Sequence, residues 1–320
     1  METRWMKLYV DFAFKKLFGS RGNERILIAF LNAMLKPSPD KRITDVTILD
    51  KEMGREHQKD RNAFLDIHAE LDNGSKVNIE IQVTNEHNLT KRTLYYWSRT
   101  YMEGFQRGEP FDKLPRTISI AIIDFILFKQ EAMNRYHLAF DVTEREEGFL
   151  WDDTLEIHLI EMPKLVKLWR EKRIGFGDDE VVEWLLLLEA DEDEELRKEL
   201  EGRAMDNPAL QEAMEKWEDL SRDPNAIREY EARHKAMMDR LAAEAESKRR
   251  QQVKYEEGME KGMEKGMEKG MEKGMEQGIE KGEYQKAISV ARKMIAKGIE
   301  EQMIAEVTGL TIMQIQQLRS

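Results

Sequence analysis

The chain contains no cysteine. That excludes disulfides, thiolate metal ligands and a cysteine nucleophile, and it suits a reducing compartment such as the cytoplasm. Uninterrupted apolar runs of about 18 residues, the length a membrane-spanning helix needs, are missing too, so no membrane span is expected. The opening Met1-Glu2-Thr3-Arg4-Trp5 lacks the apolar centre of a secretory signal. A basic excess is also lacking: 51 Lys and Arg stand against 63 Asp and Glu, for a net charge of −12. The imbalance is uneven, however. Residues 1–128 hold 20 Lys and Arg and 18 Asp and Glu, so this part carries +2 and the other 192 residues carry −14. The acidity peaks over Asp178–Glu201, where the block Asp191-Glu192-Asp193-Glu194-Glu195 reads as a solvated helix face or loop. The near-neutral first part is compatible with DNA contact through local patches.

Within that first part, Phe64–Leu71 and Ser75–Val83 both alternate apolar and polar residues, the period of a half-buried strand. A two-residue turn at Asn73-Gly74 would mix polar with apolar on each face. A three-residue loop, Asp72-Asn73-Gly74, with Gly74 in the left-handed position of a bulge, pairs Leu65 with Ile81, Ile67 with Ile79 and Ala69 with Val77. A slip of one residue would turn every side chain to the wrong face. This register sets Glu70 opposite Lys76, a favourable pair, and Asp66 opposite Glu80, an unfavourable one. Gln82 then lies diagonally beyond Asp66, and His68 sits on the other side of it. A divalent cation held by both carboxylates would offset their repulsion, and oxygen ligands suit Mg²⁺ or Mn²⁺. The alternative is a solvated polar face on which the carboxylates splay apart.

Around the hairpin, Asn23–Leu35 has helical spacing and is stopped by Lys36-Pro37-Ser38-Pro39-Asp40. Arg42–Leu49 reads as a strand, Asn88–Phe105 as an aromatic-rich helix, and Thr117–Phe128 as a strand buried on both faces. Further strands are expected at Tyr136–Val142 and Leu155–Met162, and a buried helix at Val181–Glu189. Four segments follow from this: 1–165, an acidic helical region 166–257, a repeat 258–282 and a small helical tail 283–320.

The repeat has a period of four, with Gly258, Gly262, Gly266, Gly270, Gly274, Gly278 and Gly282 separated mostly by Met-Glu-Lys. On a helix this period drifts by about 40° per repeat, and each glycine costs roughly 1 kcal/mol against alanine. Either a flexible or partly helical linker, or a helix packed closely on a second copy of itself, fits. In the tail, Ala305, Gly309 and Ile315 match the small residue, turn glycine and apolar residue of a helix-turn-helix, with a last helix Thr311–Arg319. That helix offers Gln314, Gln316, Gln317 and Arg319 to DNA, or else to a protein partner.

The order helix, three strands, helix, strand, with Asp66 on the second strand and Glu80-Ile81-Gln82 on the third, resembles the PD-(D/E)XK nuclease superfamily. It is more closely similar to the recombination-promoting, transposase-like nucleases of that superfamily. Asp11–Gly19, Ile28–Leu35, Leu65-Asp66-Ile67, Ile79–Gln82, Arg92 with Tyr95 and Tyr96, Thr117–Ile123 and Leu155–Lys164 match its motifs in order. The resemblance implies an α/β, restriction-endonuclease-like αβββαβ core with a helical C-terminal extension, and a Mg²⁺- or Mn²⁺-dependent DNA endonuclease acting in recombination or defence against foreign DNA. By it, Asp66, Glu80 and Gln82 are the catalytic residues. Asp66, Glu80 and the Ile81 carbonyl hold the metal, and Lys15 and Arg92 contact DNA. Gln82 stands where the wider superfamily has lysine, so it orients water or phosphate without charge. Glu24 is a further candidate acid from the first helix, and His68 a bystander. DNA and further copies of the chain are the expected partners. A DNA-binding or assembly module with a weakened nuclease fold is the competing expectation.

Overall fold

A computed structural model describes residues 4–49, 67–85, 88–129 and 134–319. It divides into two units, Met1–Leu241 and Ala242–Ser320. In the first, α1 (Asp11–Phe18) and α2 (Glu24–Leu35) precede β1 (Val46–Ile48), β2 (Ile67–Leu71) and β3 (Lys76–Gln82). Helix α3 (Leu89–Tyr101), β4 (Thr117–Ile123), β5 (His137–Thr143) and β6 (Leu150–Glu161) follow. The six strands form one sheet in the order β1-β2-β3-β4-β6-β5. The β3–β4 and β4–β6 pairs are parallel and the rest antiparallel. Parallel neighbours need a long crossover, and α3 supplies it between β3 and β4.

The hairpin has the register expected from its alternation, with Ile67 opposite Ile79, Ala69 opposite Val77 and Glu70 opposite Lys76. Gly74 has φ +78°, and its N–H donates to the Leu71 carbonyl at 2.9 Å, closing the three-residue loop. The pairings of Leu65 and Asp66 lie outside the described residues. Lys76 reaches the Glu103 carbonyl at 2.7 Å instead of turning to Glu70.

On one face, Ile67, Ala69, Val77, Ile79, Ile118, Ile120 and Ile122 share a core with α1 and α2. Phe14, Phe18, Phe30 and Trp184 form its aromatic centre, with successive ring centroids 5.0–6.3 Å apart. Trp184 comes from α5 (Glu180–Leu187), which belongs with α4 (Met162–Arg170), α6 (Glu194–Ala204) and α7 (Pro208–Arg222). Helices α4 to α7 contribute to that same core, so packing continues past residue 165. The acidic block is not uniformly solvated. The Asp191 side chain is 8% exposed beside Lys7 at 3.8 Å, and burial pushes its carboxyl up to about 6. Asp193 caps α6 by accepting from the Leu196 N–H at 2.9 Å.

Two strands are shorter than their patterns suggest, because side chains take the backbone groups that a ladder would use. Before β1, Asn32 holds both the N–H and the carbonyl of Ile43 at 3.0 and 2.9 Å. After β4, Glu161 Oε1 accepts from the N–H groups of Leu127 and Phe128 at 2.6 and 2.9 Å. Helix α3 stops at Tyr101, short of Phe105, and turns follow it to Gly104. The outer strand pair is longer than expected, since β6 starts at Leu150 and runs beyond the part paired with β4.

On the core-facing side of β6, Arg116 pairs with Glu156, Glu156 lies 2.7 Å from His158, and His158 lies 2.7 Å from His137. Burial alone would raise the Glu156 carboxyl, but the hydrogen bond from His158 and the Arg116 charge bring it below its ordinary value. Burial, then His158 and Lys36, press His137 down to about 4, against a smaller opposing pull from Asp179. All hydrogen bonds are satisfied when His137 Nε2–H donates to His158 Nδ1 and His158 Nε2–H donates to Glu156.

In the second unit, α8 (Pro224–Ala296, which begins in the first unit) carries the whole glycine repeat as continuous helix. It is followed by α9 (Glu301–Thr308) and α10 (Ile312–Gln317). Ala291, Ile304, Leu310 and Ile315 form a small core, and Gly309 ends α9 at φ +69°. Thr311 caps α10 through a capping box with Gln314.

Two outcomes test this packing. Glu161 is fully buried and paired with Lys164, so Glu161→Ala should lower unfolding free energy in urea by about 3–5 kcal/mol, the cost of leaving a buried charge unpaired. His137 has a folded value below its unfolded one, so the unfolded chain binds more protons between pH 6.5 and about 4. Its contribution, up to about 3 kcal/mol, is present above pH 6.5 and lost as pH falls through 4. Stability curves at pH 7 and pH 4.5 should converge in His137→Phe relative to wild type.

Candidate nuclease site

Helix α3 covers the polar side of β3 and β4, while Glu70 at the loop end of the hairpin stays exposed. Leu89, Thr93, Tyr96 and Thr100 form the buried side of α3, and Trp97 Nε1 donates to the Thr117 carbonyl at 2.9 Å. Beneath the helix, His68, Asn78 and Gln82 are each less than one-tenth exposed. Polar groups buried this way need partners, and each has one from a neighbouring element. Ser119 Oγ donates to Asn78 Oδ1 at 2.5 Å. His68 lies 3.4 Å from the Glu103 carboxylate. Gln82 Nε2 donates to the Thr84 carbonyl at 2.5 Å, and Gln82 Oε1 accepts from Arg92 Nη2.

Glu80 lies on the same face, with a side chain 13% exposed. Arg92 Nη2, from the first turn of α3, stands 2.7 Å from Glu80 Oε1. One guanidinium therefore bridges Glu80 and Gln82. Ile81 points its side chain into the core and pairs with Ile122 of β4.

The structure thus brings Glu80, Gln82 and Arg92 together. Asp66, adjoining the first residue of β2, lies outside the described residues. Lys15 is exposed on α1, across the sheet from Arg92, and has no ion-pair partner among the described residues. Its helix end is nonetheless held at the start of β2. A Cβ on Gly19 would come within 3.0 Å of Ile67 Cγ1 and 3.5 Å of Lys15 Cγ. Glu24 folds back on its own helix start, where the Gly22 N–H donates to its carboxylate at 2.8 and 3.0 Å. Those bonds hold its carboxyl below the usual range.

A second group of acids sits at the end of β4, where the Asp124 N–H donates to the Gln82 carbonyl at 3.0 Å. Tyr9 donates to Glu189 at 2.8 Å, and burial raises the carboxyls of Asp124 and Glu189. Sequence patterning gave no sign of this cluster, because its members come from distant segments.

In chemical terms, a nearly buried carboxylate with a guanidinium beside it can bind a hard cation and a phosphate oxygen. Among the described residues, no group of three or more His, Asp or Glu side chains is placed to hold a metal. They supply one carboxylate, Glu80, and the hard oxygen chemistry of Glu80 and the Ile81 carbonyl suits Mg²⁺ or Mn²⁺.

A family model for PD-(D/E)XK nuclease family transposases matches residues 8–247. The chain belongs to this family. A second model, the C-terminal helix-turn-helix domain of Rpn/YhgA-like nucleases, matches residues 285–320. No match was found among curated proteins or among solved structures. The fold is α/β and restriction-endonuclease-like with a helical extension, and the family gives the chain a nuclease-like function. PD-(D/E)XK nucleases generally use divalent metal ions, and the helix-turn-helix points to DNA binding. No described helix is long and apolar enough to cross a membrane. In the tail, Gln316 and Arg319 contact Glu301 at 3.1 and 2.8 Å, and Gln314 reaches Tyr284 at 3.3 Å. Gln314, Gln316 and Arg319 are thus held within the unit.

If Glu80 and Arg92 contribute to folding only through Coulomb attraction in a partly buried setting, Glu80→Gln should change unfolding free energy little. Urea curves that shift by more than about 3 kcal/mol would instead make Glu80 a structural acid.

Proposed function

We propose that this protein is a metal-dependent DNA endonuclease that hydrolyses phosphodiester bonds, acting in recombination or defence against foreign DNA. The observation that carries this reading is Glu80, a carboxylate held under α3 beside the Arg92 guanidinium. Continuing the hairpin register by one residue would set Asp66 opposite Glu80, giving the second carboxylate. Asp66, Glu80 and the Ile81 carbonyl would then hold Mg²⁺ or Mn²⁺, which when bound lowers the pKa of water and neutralises phosphate charge. The chain's own part is to fix Glu80, to exclude water beneath α3 and to present Arg92. Lys15, exposed near the start of β2, would meet the DNA backbone.

The charge distribution disfavours an approach over the β5–β6 edge of the sheet. The arm formed by residues 139–154 carries six acids and one arginine, and would repel DNA. The second unit would add DNA contacts through its helix-turn-helix, and copies of the chain would associate through the C-terminal helices. The protein would work in the cytoplasm. A second reading, a catalytically weak DNA-binding or assembly module, is favoured by Gln82, whose amide is already engaged at both ends.

Supercoiled plasmid incubated with Mg²⁺, Mn²⁺ or EDTA separates the two. The wild type should nick or linearise it only with a divalent ion, and Asp66→Ala and Glu80→Ala should each lose at least 100-fold in rate, a typical scale for losing a metal-site ligand. Intact plasmid at high enzyme, or equal cutting by the variants, would favour the second reading.

A further inference from the structure

Gln82 occupies the position from which a lysine could act on the reacting phosphate, yet its carboxamide is turned to other work. Nε2 donates to the Thr84 carbonyl at 2.5 Å and Oε1 accepts from Arg92. A carboxamide with both ends committed inside a nearly buried setting, 7% exposed, is poorly placed to orient a water molecule. It is well placed to hold a guanidinium. Arg92 reaches the same spot from the opposite layer, with Nη2 2.7 Å from Glu80 Oε1 and a side chain 20% exposed. It therefore stands beside the carboxylate while keeping a route to solvent.

Helix polarity bears on this arrangement. Arg92 lies in the first turn of the 13-residue α3, the end of a helix at which cations are disfavoured and anions favoured. Its position is offset by Glu80 in the free protein and would be further favoured by a phosphate. Arginine also suits a shared role, because its planar fork can meet a carboxylate and a phosphate at once, which an ammonium does less well.

We propose that Arg92 supplies the positive charge directed at the reacting phosphate, and that Gln82 is a positioning residue that aims Arg92. The two act as one unit and replace, from helix and strand together, a single strand lysine. This deepens the nuclease reading given above and rests on it.

Plasmid cleavage and binding of a 30-base-pair duplex in EDTA should be measured for wild type, Glu80→Ala, Arg92→Gln, Arg92→Lys, Gln82→Ala, Gln82→Ala with Arg92→Gln, and Gln82→Lys with Arg92→Gln. Arg92→Gln and Gln82→Ala should each lower kcat 30-fold or more with under threefold change in duplex affinity, and the first double variant should be no slower than Arg92→Gln. Relocating the charge in Gln82→Lys with Arg92→Gln should recover at least tenfold over Arg92→Gln, and Arg92→Lys should fall between wild type and Arg92→Gln. In the metal-free protein, the slowed guanidinium NMR signal of Arg92 should become freely rotating in Gln82→Ala. Multiplying losses in the double variant, no recovery on relocating the charge, or an unchanged guanidinium signal, in variants with wild-type melting temperature, would overturn the unit. If the wild type does not cut, or Glu80→Ala cuts as well as wild type, the nuclease reading itself falls, and this inference with it. If Glu80→Ala is dead while the losses at 82 and 92 multiply, only the inference falls.

Discussion

Register in the β2–β3 hairpin is the constraint on which the site depends. Three loop residues, with Gly74 at φ +78°, hold Ile67 against Ile79 and Ala69 against Val77. Because strand side chains alternate, a slip of one residue would send Glu80 and Gln82 into the isoleucine core and bring Ile79 and Ile81 under α3. The cost of burying those apolar groups wrongly, and those charges without partners, is large on both faces at once. Register is therefore specified twice, by the core on one side and by the roof of α3 on the other. Arg92 is effective only because this register presents Glu80 and Gln82 on its side of the sheet.

The hairpin was legible in the sequence because two periodicities agreed: alternation in both arms and a loop length that reconciles them. The burial of β4 on both faces followed from its nearly continuous apolar run, and Thr117–Ile123 is buried throughout. The roof over the polar face was not legible. An alternating strand says which residues leave the core, not whether helix or water meets them, and α3 carries Lys91, Arg92, Tyr95 and Arg99 as a solvated helix would. Nor could strand ends be placed, since Asn32 and Glu161 terminate β-structure from far along the chain. Arg92 looked like a surface phosphate contact from sequence. Its link to Glu80 and Gln82 depends on how the crossover helix lies on the sheet.

Charge follows the same division between local and distant causes. Asp191 sits in what reads as a solvated acidic block, yet it is buried against Lys7, and its neighbours Glu192 and Glu194 remain exposed. Composition predicts the average of such a block and not which member is drawn inward. The paired histidines of β5 and β6 make the same point, since nothing near His137 or His158 in sequence announces a hydrogen-bonded pair linked to Glu156 and Arg116.

The repeat poses a different physical question. At Gly258 through Gly282, nothing beyond the helix's own neighbouring backbone lies within 4 Å of the place a Cβ would occupy, so no packing contact within the chain requires glycine there. Met259, Met263, Met267, Met271 and Met275 are 56–74% exposed along the same stretch. Each glycine costs roughly 1 kcal/mol against alanine in a helix interior, and the Glu–Glu and Lys–Lys spacings of four add repulsion. Within one chain the Lys–Glu pairs three residues apart, such as Lys261 with Glu264, offset only a few tenths of a kcal/mol each, by order of magnitude. Period four also winds the methionine and glycine ridges about 40° per repeat around the axis, so a straight partner would follow either ridge for only two or three repeats. A close-packed partner would have to wrap right-handedly around the helix, in the opposite sense to a heptad coiled coil. Glycine at every fourth position is what would allow so tight a wrap.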